Sequence, residues 1–170
     1  MDAKKESEPT RMKNPTKVER KSERELVVTR TVNGPVRLVF EAWTKPDLFK
    51  RWWIPKSMPI PLLSCELDVR AGGTYRLVFG NAGEKPMAFF GRYLEVVPNA
   101  RIVWTNDEGG EGGAVTTVTF EEKGGQTLLT IHDLYSSKEA FEAGSGNVDG
   151  MPETLDQLDE LLASLGAERA

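Results

Sequence analysis

The sequence predicts an α+β fold in which an antiparallel sheet of about seven strands packs against one long C-terminal helix. Consecutive segments alternate apolar and polar residues and are joined by short turns, which indicates a meander and not a parallel sheet with crossover helices. Two short helices follow the first strand, and the last segment carries a single apolar stripe. The length of 170 residues and the 39% apolar composition fit one globular domain.

The first 23 residues differ in composition from the rest of the chain. They hold seven Lys and Arg, five Asp and Glu, two prolines and few apolar side chains. Such a segment cannot bury enough apolar surface to offset its ordering entropy. Residues 1–23 are therefore predicted to be a disordered tail, and residues 24–170 to form the folded domain. The mixed signs of charge in the tail favour plain solvation over contact with an acidic partner.

The first strand and the two short helices are predicted from the segment after the tail. A period of two and β-branched residues run from Glu25 to Val32. Asn33-Gly34-Pro35 ends this strand, and the apolar spacing of residues 36–43 predicts an amphipathic helix. A second helix follows through Trp52, and three prolines shortly after it end the helical pattern.

Six further strands and a final helix are predicted from Leu62 onward. Glycine-containing or Pro-Asn turns separate the strands into three hairpins. The approximate limits of the strands are 63–70, 74–80, 87–97, 101–106, 114–122 and 126–134. From Met151 to Leu165, a stripe of leucines lies opposite acidic residues, which predicts a helix that needs an apolar partner. The sheet is the only large surface that could cover it.

Five motifs and the C-terminal leucine helix occur together in this chain. The motifs are Val36-x-x-Val39-Phe40-x-Ala42-Trp43-Thr44-x-Pro46, Arg51-Trp52-Trp53-x-Pro55, Glu66-x-Asp68-x-Arg70-x-Gly72-Gly73, Gly91-x-Tyr93-Leu94-Glu95-Val96-Val97-Pro98 and Thr117-Val118-Thr119-Phe120. Over residues 24–165 the chain thus resembles the START/SRPBCC helix-grip superfamily, and within it the group homologous to the activator of the heat-shock protein 90 ATPase. The resemblance implies a curved sheet wrapped around the C-terminal helix, with an apolar cavity between them.

Three charged residues are predicted to face the helix. Arg30 and Asp133 share the parity of the apolar residues in their strands, and Arg92 shares that of Leu94 and Val96. These side chains either orient the polar group of a ligand, or pair with each other and reach water at strand ends. Arg92 is the best candidate for an anionic group, because arginine stays charged and offers a fork of donors.

The candidate ligand-binding residues lie on the inner face of the sheet, at the rim of the cavity and on the helix stripe. They are Trp53, Tyr75, Phe79, Phe90, Arg92, Trp104, Ile131, Asp133, Met151 and Leu155. For tryptophans at such spacing, core packing is the alternative role. Cys65 is predicted to be a buried, inert thiol, and His132 is predicted to face outward.

Composition argues against several functional classes. The net charge of −4 and the pI of about 5.2 disfavour a nucleic-acid partner. One cysteine and one histidine leave no basis for a Cys/His metal site, and the chain has no nucleophile elbow, phosphate loop or dinucleotide fingerprint. Neither a catalytic residue nor a cofactor is therefore predicted. Without a membrane-spanning apolar run or a signal-peptide core, the expected location is cytoplasmic.

The sequence favours a binding protein over an enzyme. Its ligand would be a small, largely apolar molecule in a cavity of about a few hundred Å³. Two alternatives stay open. The resemblance implies a protein-interaction module of the co-chaperone, stress-response type, whose partner is another protein. The charges on the inner face allow a cyclase- or hydrolase-like enzyme in which Asp133 works beside Arg92.

Overall fold

The computed structural model describes residues 14–54, 56–57, 61–80, 83, 85–107, 113–144 and 151–169. These residues form eight strands and four helices. Their bounds are β1 Lys17–Arg20, β2 Glu25–Val32, α1 Val36–Thr44, α2 Pro46–Phe49, β3 Leu62–Leu67, β4 Thr74–Phe79, β5 Met87–Val97, β6 Arg101–Thr105, β7 Val115–Lys123, β8 Gln126–Leu134, α3 Lys138–Gly144 and α4 Met151–Arg169.

The strands form one antiparallel sheet in the order β1-β2-β8-β7-β6-β5-β4-β3. Each hairpin predicted from the sequence is present, and β2 closes onto β8 with Val28 opposite Ile131. The structure confirms the α+β class, the antiparallel meander and the long C-terminal helix of the helix-grip fold.

The boundary of the predicted tail needs correction. Residues 17–20 form β1, which pairs with β2 and raises the number of strands to eight. Asn14 Nδ2 donates to the Thr31 carbonyl at 2.7 Å, and the Thr16 hydroxyl accepts from Arg30 at 2.9 Å. Hydrogen bonds to a sheet edge hold this mostly exposed segment, so its low apolar content did not reveal it. Residues 1–13 lie outside the described residues.

The core lies between the sheet and α4. The leucine stripe of α4 is buried as predicted, and it packs on residues of the central strands that are fully buried, including Val118 and Leu129. Burying one such side chain contributes roughly 1.5–3 kcal/mol to the free energy of unfolding. This packing positions α4 across the inner face of the sheet.

A cluster of aromatic rings extends the core between α1, α2 and the sheet. Trp43 lies at its centre, with ring centroids 4.8 Å from Trp52, 6.0 Å from Trp104 and 6.2 Å from Phe120. The Trp52 indole donates to the Ala42 carbonyl at 2.9 Å. Trp43 is buried, in agreement with core packing, which was the alternative role predicted for the tryptophans.

The chain that follows α2 is bound to α4 by one buried side chain. Gln157 Nε2 donates to the carbonyls of Trp52 and Ile54, at 3.0 and 2.8 Å, and Gln157 Oε1 accepts from the Lys56 amide at 2.8 Å. These three bonds hold residues 52, 54 and 56 beside α4.

Helix α3 was not predicted from the sequence. Its Phe141 packs against Tyr135, with ring centroids 5.2 Å apart, and lies beneath the Arg20 guanidinium at 4.1 Å. With seven residues and one large apolar side chain, α3 has no repeating apolar pattern to indicate it.

Candidate functional site

Four polar side chains form a hydrogen-bonded row on the inner face of the sheet. The Asn106 amide donates to the Thr116 hydroxyl at 3.0 Å, and that hydroxyl donates to Asp133 Oδ1 at 2.6 Å. At the other end, the Tyr75 hydroxyl lies 3.3 Å from Asn106 Oδ1 and donates to the Thr105 carbonyl at 2.8 Å. We call Tyr75, Asn106, Thr116 and Asp133 the inner-face polar chain.

Strand register brings these residues together. Thr116 of β7 lies opposite Trp104 of β6 on one side and opposite Asp133 of β8 on the other. Asp133 in turn lies opposite Leu26 of β2. Asn106 follows β6 directly, and its backbone amide donates to the Ala114 carbonyl at 3.0 Å, which fixes its side chain beside Thr116.

Asp133 is the half-buried acidic end of the inner-face polar chain. Burial raises the pKa of the Asp133 carboxyl, while the hydrogen bond from Thr116 and the neighbouring His132 act in the opposite direction. Among the described residues, Asp133 receives a hydrogen bond from Thr116 alone and forms no ion pair. A carboxylate has about four sites for donors, and the described residues supply a donor to one of them.

The predicted inward orientation of Phe90 and Arg92 is wrong. Gly91 and Tyr93 are buried instead, so the other set of alternating residues on β5 faces inward. Phe90 is 38% exposed, and the side chain of Arg92 is 59% exposed, with Nε 3.3 Å from Asp107 Oδ2. The pairing of β5 with β6 shifts between Tyr93 and Glu95. The prediction extended the alternation from Val96 back towards the start of the strand, but this bulge reverses which residues face inward there.

The other candidate residues lie on the inner side, where most of them contact one another or the core. Tyr75, Ile131 and Leu155 are buried, and the partly buried ones pack against the core. The latter are Trp53, Phe79, Trp104 and Met151. Their role in binding a ligand remains a prediction.

Arg30 faces inward as predicted and is bound by two carboxylates. Its guanidinium lies 2.8 Å from Asp156 Oδ1 and 2.5 Å from Asp159 Oδ2, and its side chain is 1% exposed. Of the two interpretations, ion pairing is the one observed. Cys65 is half-buried, and burial raises the pKa of its thiol. His132 Nε2 lies 3.0 Å from Glu25 Oε2, away from the polar chain.

Sequence reasoning missed Asn106 and Thr116. Thr116 shares the inward parity of Val118 and Phe120, so the alternation of β7 contained a signal for it. Asn106 lies beyond the end of β6, where alternation no longer applies, and its position depends on the pairing with Ala114.

The cavity of a few hundred Å³ between sheet and helix remains a prediction. Large side chains are buried in this core, including Trp43, Trp52 and Tyr75. Two depressions lined by described residues have volumes of about 180 Å³ each, and both open at the surface. One lies beside β1 near Lys17, and the other lies outside α4 near Lys56.

Neither a cluster of metal ligands nor a membrane-spanning helix occurs among the described residues. Within them, no cluster of three or more His, Cys, Asp or Glu side chains is arranged to hold a metal ion. No helix in the same part of the chain combines the length and apolar character that crossing a bilayer requires.

Comparison with known proteins identifies the family. Residues 33–163 match the family described as Activator of Hsp90 ATPase homolog 1-like protein. The chain belongs to this family. This confirms the resemblance seen in the sequence motifs, and no curated protein matches the chain.

Solved structures share the fold of this Hsp90-activator-like chain. A Rhodobacter sphaeroides protein is 22% identical with a TM-score of 0.80, and the match covers 89% of this chain and 99% of that protein. A Nitrosomonas europaea protein is 25% identical with a TM-score of 0.74, and the match covers 86% of this chain and 98% of that protein. A Chromobacterium violaceum protein is 28% identical with a TM-score of 0.68, and the match covers 83% of this chain and 98% of that protein.

Proposed function

We propose that this protein binds a small, largely apolar molecule on the inner face of its sheet, with Asp133 as the polar anchor. The supporting observation is the inner-face polar chain, which ends in a half-buried carboxylate that has a single donor among the described residues. Partly buried Trp104 and Met151 offer apolar surface on the same side of the sheet. Apolar walls with a few convergent polar groups are the usual composition of a small-molecule site.

We infer the position of such a ligand from the packing of the core. Trp43, Trp52 and Leu155 are buried in the interior, which favours a ligand beside Asp133 and Trp104, whose side chains are only partly buried. Burial of about 200 Å² of apolar surface supplies roughly 5 kcal/mol, and association costs offset part of it. The expected affinity is therefore modest, and it depends on the anchor.

A thermal-shift screen of the full chain against lipids and aromatic metabolites tests this proposal. A ligand at 100 times its dissociation constant stabilises the folded state by about 2.7 kcal/mol, which raises the Tm by roughly 5–10 °C. We expect Asp133→Ala to weaken the shift. Arg92→Ala is the matched control, because its side chain is on the outer face. A library without hits, or an equal loss in both variants, would contradict the proposal.

A second candidate function is the binding of a protein partner, which exposed apolar side chains on β3 and β5 support. These are Leu63, Met87, Phe90, Leu94 and Val97. The family description points to Hsp90 as the partner to test. Calorimetric titration of purified Hsp90 should show binding that Leu94→Ser weakens and Asp133→Ala does not, and heat of dilution alone would exclude this function.

A further inference from the structure

We propose that the molecule bound at Asp133 is an aryl- or alkylamine, whose ammonium group donates hydrogen bonds to the Asp133 carboxylate. This inference rests on the binding function proposed above and specifies its ligand class. Three features of the inner face support it: the direction of its hydrogen bonds, the partners of its cations and the position of its aromatic rings.

Two successive hydrogen bonds of the polar chain, from Asn106 to Thr116 and from Thr116 to Asp133, run towards the carboxylate. Asn106 Nδ2 donates its two hydrogens to the Ala114 carbonyl, at 2.8 Å, and to the Thr116 hydroxyl. Thr116 donates its only hydroxyl hydrogen to Asp133. Neither residue keeps a polar hydrogen for a ligand on its side chain, and Asp133 keeps open acceptor sites. The polar group of a ligand that binds the Asp133 carboxylate must therefore be a donor.

The cations of the neighbouring elements are already bound elsewhere. Arg30 of β2 pairs with the two carboxylates of α4, and Arg92 of β5 pairs with Asp107 on the outer face. Arg24 donates to backbone carbonyls of residues 135 and 136, and His132 pairs with Glu25. Beside Asp133, an anionic ligand would thus meet Arg30, Arg92 and His132 already paired with carboxylates. A cation would meet a carboxylate that has no ion pair among the described residues.

An aromatic surface lies at a distance that a short amine can span. Trp104 is two strands away from Asp133 in the same cross-strand row, with Thr116 between them. At about 4.8 Å between neighbouring strands, their backbones are roughly 10 Å apart. The Trp104 ring packs on Tyr75 at 6.3 Å and is itself only partly buried. An apolar group lying on this ring leaves the ammonium over Asp133, and aromatic faces attract such cations.

Three molecules with one ring system and different head groups test the ligand class. Tryptamine carries an ammonium, indole-3-ethanol a hydroxyl and indole-3-acetate a carboxylate. We expect titration calorimetry of the full chain at pH 7.5 to give a Kd for tryptamine at least tenfold lower than that for indole-3-ethanol. Indole-3-acetate should bind most weakly.

Asp133→Asn identifies the group responsible. Asparagine keeps the shape of the side chain and an acceptor for Thr116, so the preference for tryptamine should disappear while the Kd of indole-3-ethanol stays the same. That unchanged Kd shows that the variant has folded, and Arg92→Ala should keep the full preference. A preference that survives in Asp133→Asn would overturn the inference.

The same series separates failure of the ligand class from failure of the proposed function. If the wild type binds the alcohol or the carboxylate as tightly as the amine, the amine inference is overturned and the binding function stands. If none of the three binds up to its solubility limit, the amine inference is overturned, and the thermal-shift screen decides the binding function.

Discussion

Arg30 shows how a single charged side chain joins β2 to α4. Its guanidinium contacts Asp156 and Asp159, whose positions are 126 and 129 residues further along the chain. Asp159 also accepts from the Asn33 backbone amide at 2.7 Å. The side chains of Arg30 and Asp159 are almost fully removed from water. Loss of Arg30 would leave Asp159 as a buried charge without a cation.

We therefore expect Arg30→Met to lower the free energy of unfolding by about 3–5 kcal/mol, because Asp159 keeps its charge without its partner. Chemical denaturation of the two proteins measures this difference. Arg101→Met is the control, since the exposed pair of Arg101 with Glu95 contributes about 0–1 kcal/mol. Equal losses in the two variants would show that the buried pair is not important for stability.

At this scale, strand parity predicted the orientation of some charged residues and not their partners. Arg30 and Asp133 face inward as the alternation of β2 and β8 requires. The orientation of Arg92 was predicted from residues on the other side of the bulge that follows Tyr93. No residue type in the strand indicates that bulge. The contact of Asp133 with Thr116 depends on which strands pair. The residue pattern of one strand does not contain that information.

At the scale of elements, β5 lies between β6 and β4, and Gly91 leaves room for Thr105 and Tyr75 beside it. A Cβ atom at Gly91 would be 1.9 Å from the Thr105 carbonyl oxygen and 2.9 Å from the Tyr75 ring. The same carbonyl accepts from the Tyr75 hydroxyl. The absence of a side chain at Gly91 thus allows the close approach that builds one end of the polar chain.

Gly91→Ala should destabilise the fold by at least about 3 kcal/mol, because the backbone of β6 must move away and the hydrogen bond of Tyr75 is lost with it. The midpoint of urea unfolding, followed by circular dichroism, measures the effect. Phe90→Ala, at the exposed neighbouring position, should change the stability by less than about 1 kcal/mol. Similar midpoints for both variants would contradict the close approach at Gly91.

Elements with an apolar repeat were predictable from the sequence, and those without one were not. The leucine stripe predicted α4, and the alternation of β7 and β8 predicted a hairpin with the observed turn. β1 is exposed and held through its backbone, and α3 depends on one aromatic contact. The family resemblance implied a cavity, but the specific packing of Trp43 and its neighbours determines how much space is left.

For the whole molecule, Asp133 links global stability to pH. Burial raises the pKa of its carboxyl in the folded protein. The folded state then binds more protons than the unfolded state between the ordinary pKa of aspartate, about 3.9, and the raised value. The stability from this group is fully present below the ordinary pKa and is lost as the pH rises through the raised one. Thr116 and His132 reduce the shift, and Glu25 keeps His132 on the opposite side.

The wild type should therefore lose stability relative to Asp133→Asn as the pH increases, since asparagine reproduces the uncharged form of the carboxyl. We expect nearly equal free energies of unfolding at pH 3.5, and at pH 7.5 an advantage for Asp133→Asn of about 1 kcal/mol, or 2–4 °C in Tm. Urea unfolding of both proteins across this range measures the difference. Asp107→Asn is the control, because Asp107 is already paired with Arg92 on the outer face and should show no such gain.

A more stable wild type at pH 7.5 would mean that other groups already compensate the Asp133 charge, and the ammonium of a ligand would then have no unpaired carboxylate to bind. A gain in stability together with loss of the tryptamine preference would instead show that the fold retains a destabilising charge for the sake of its ligand.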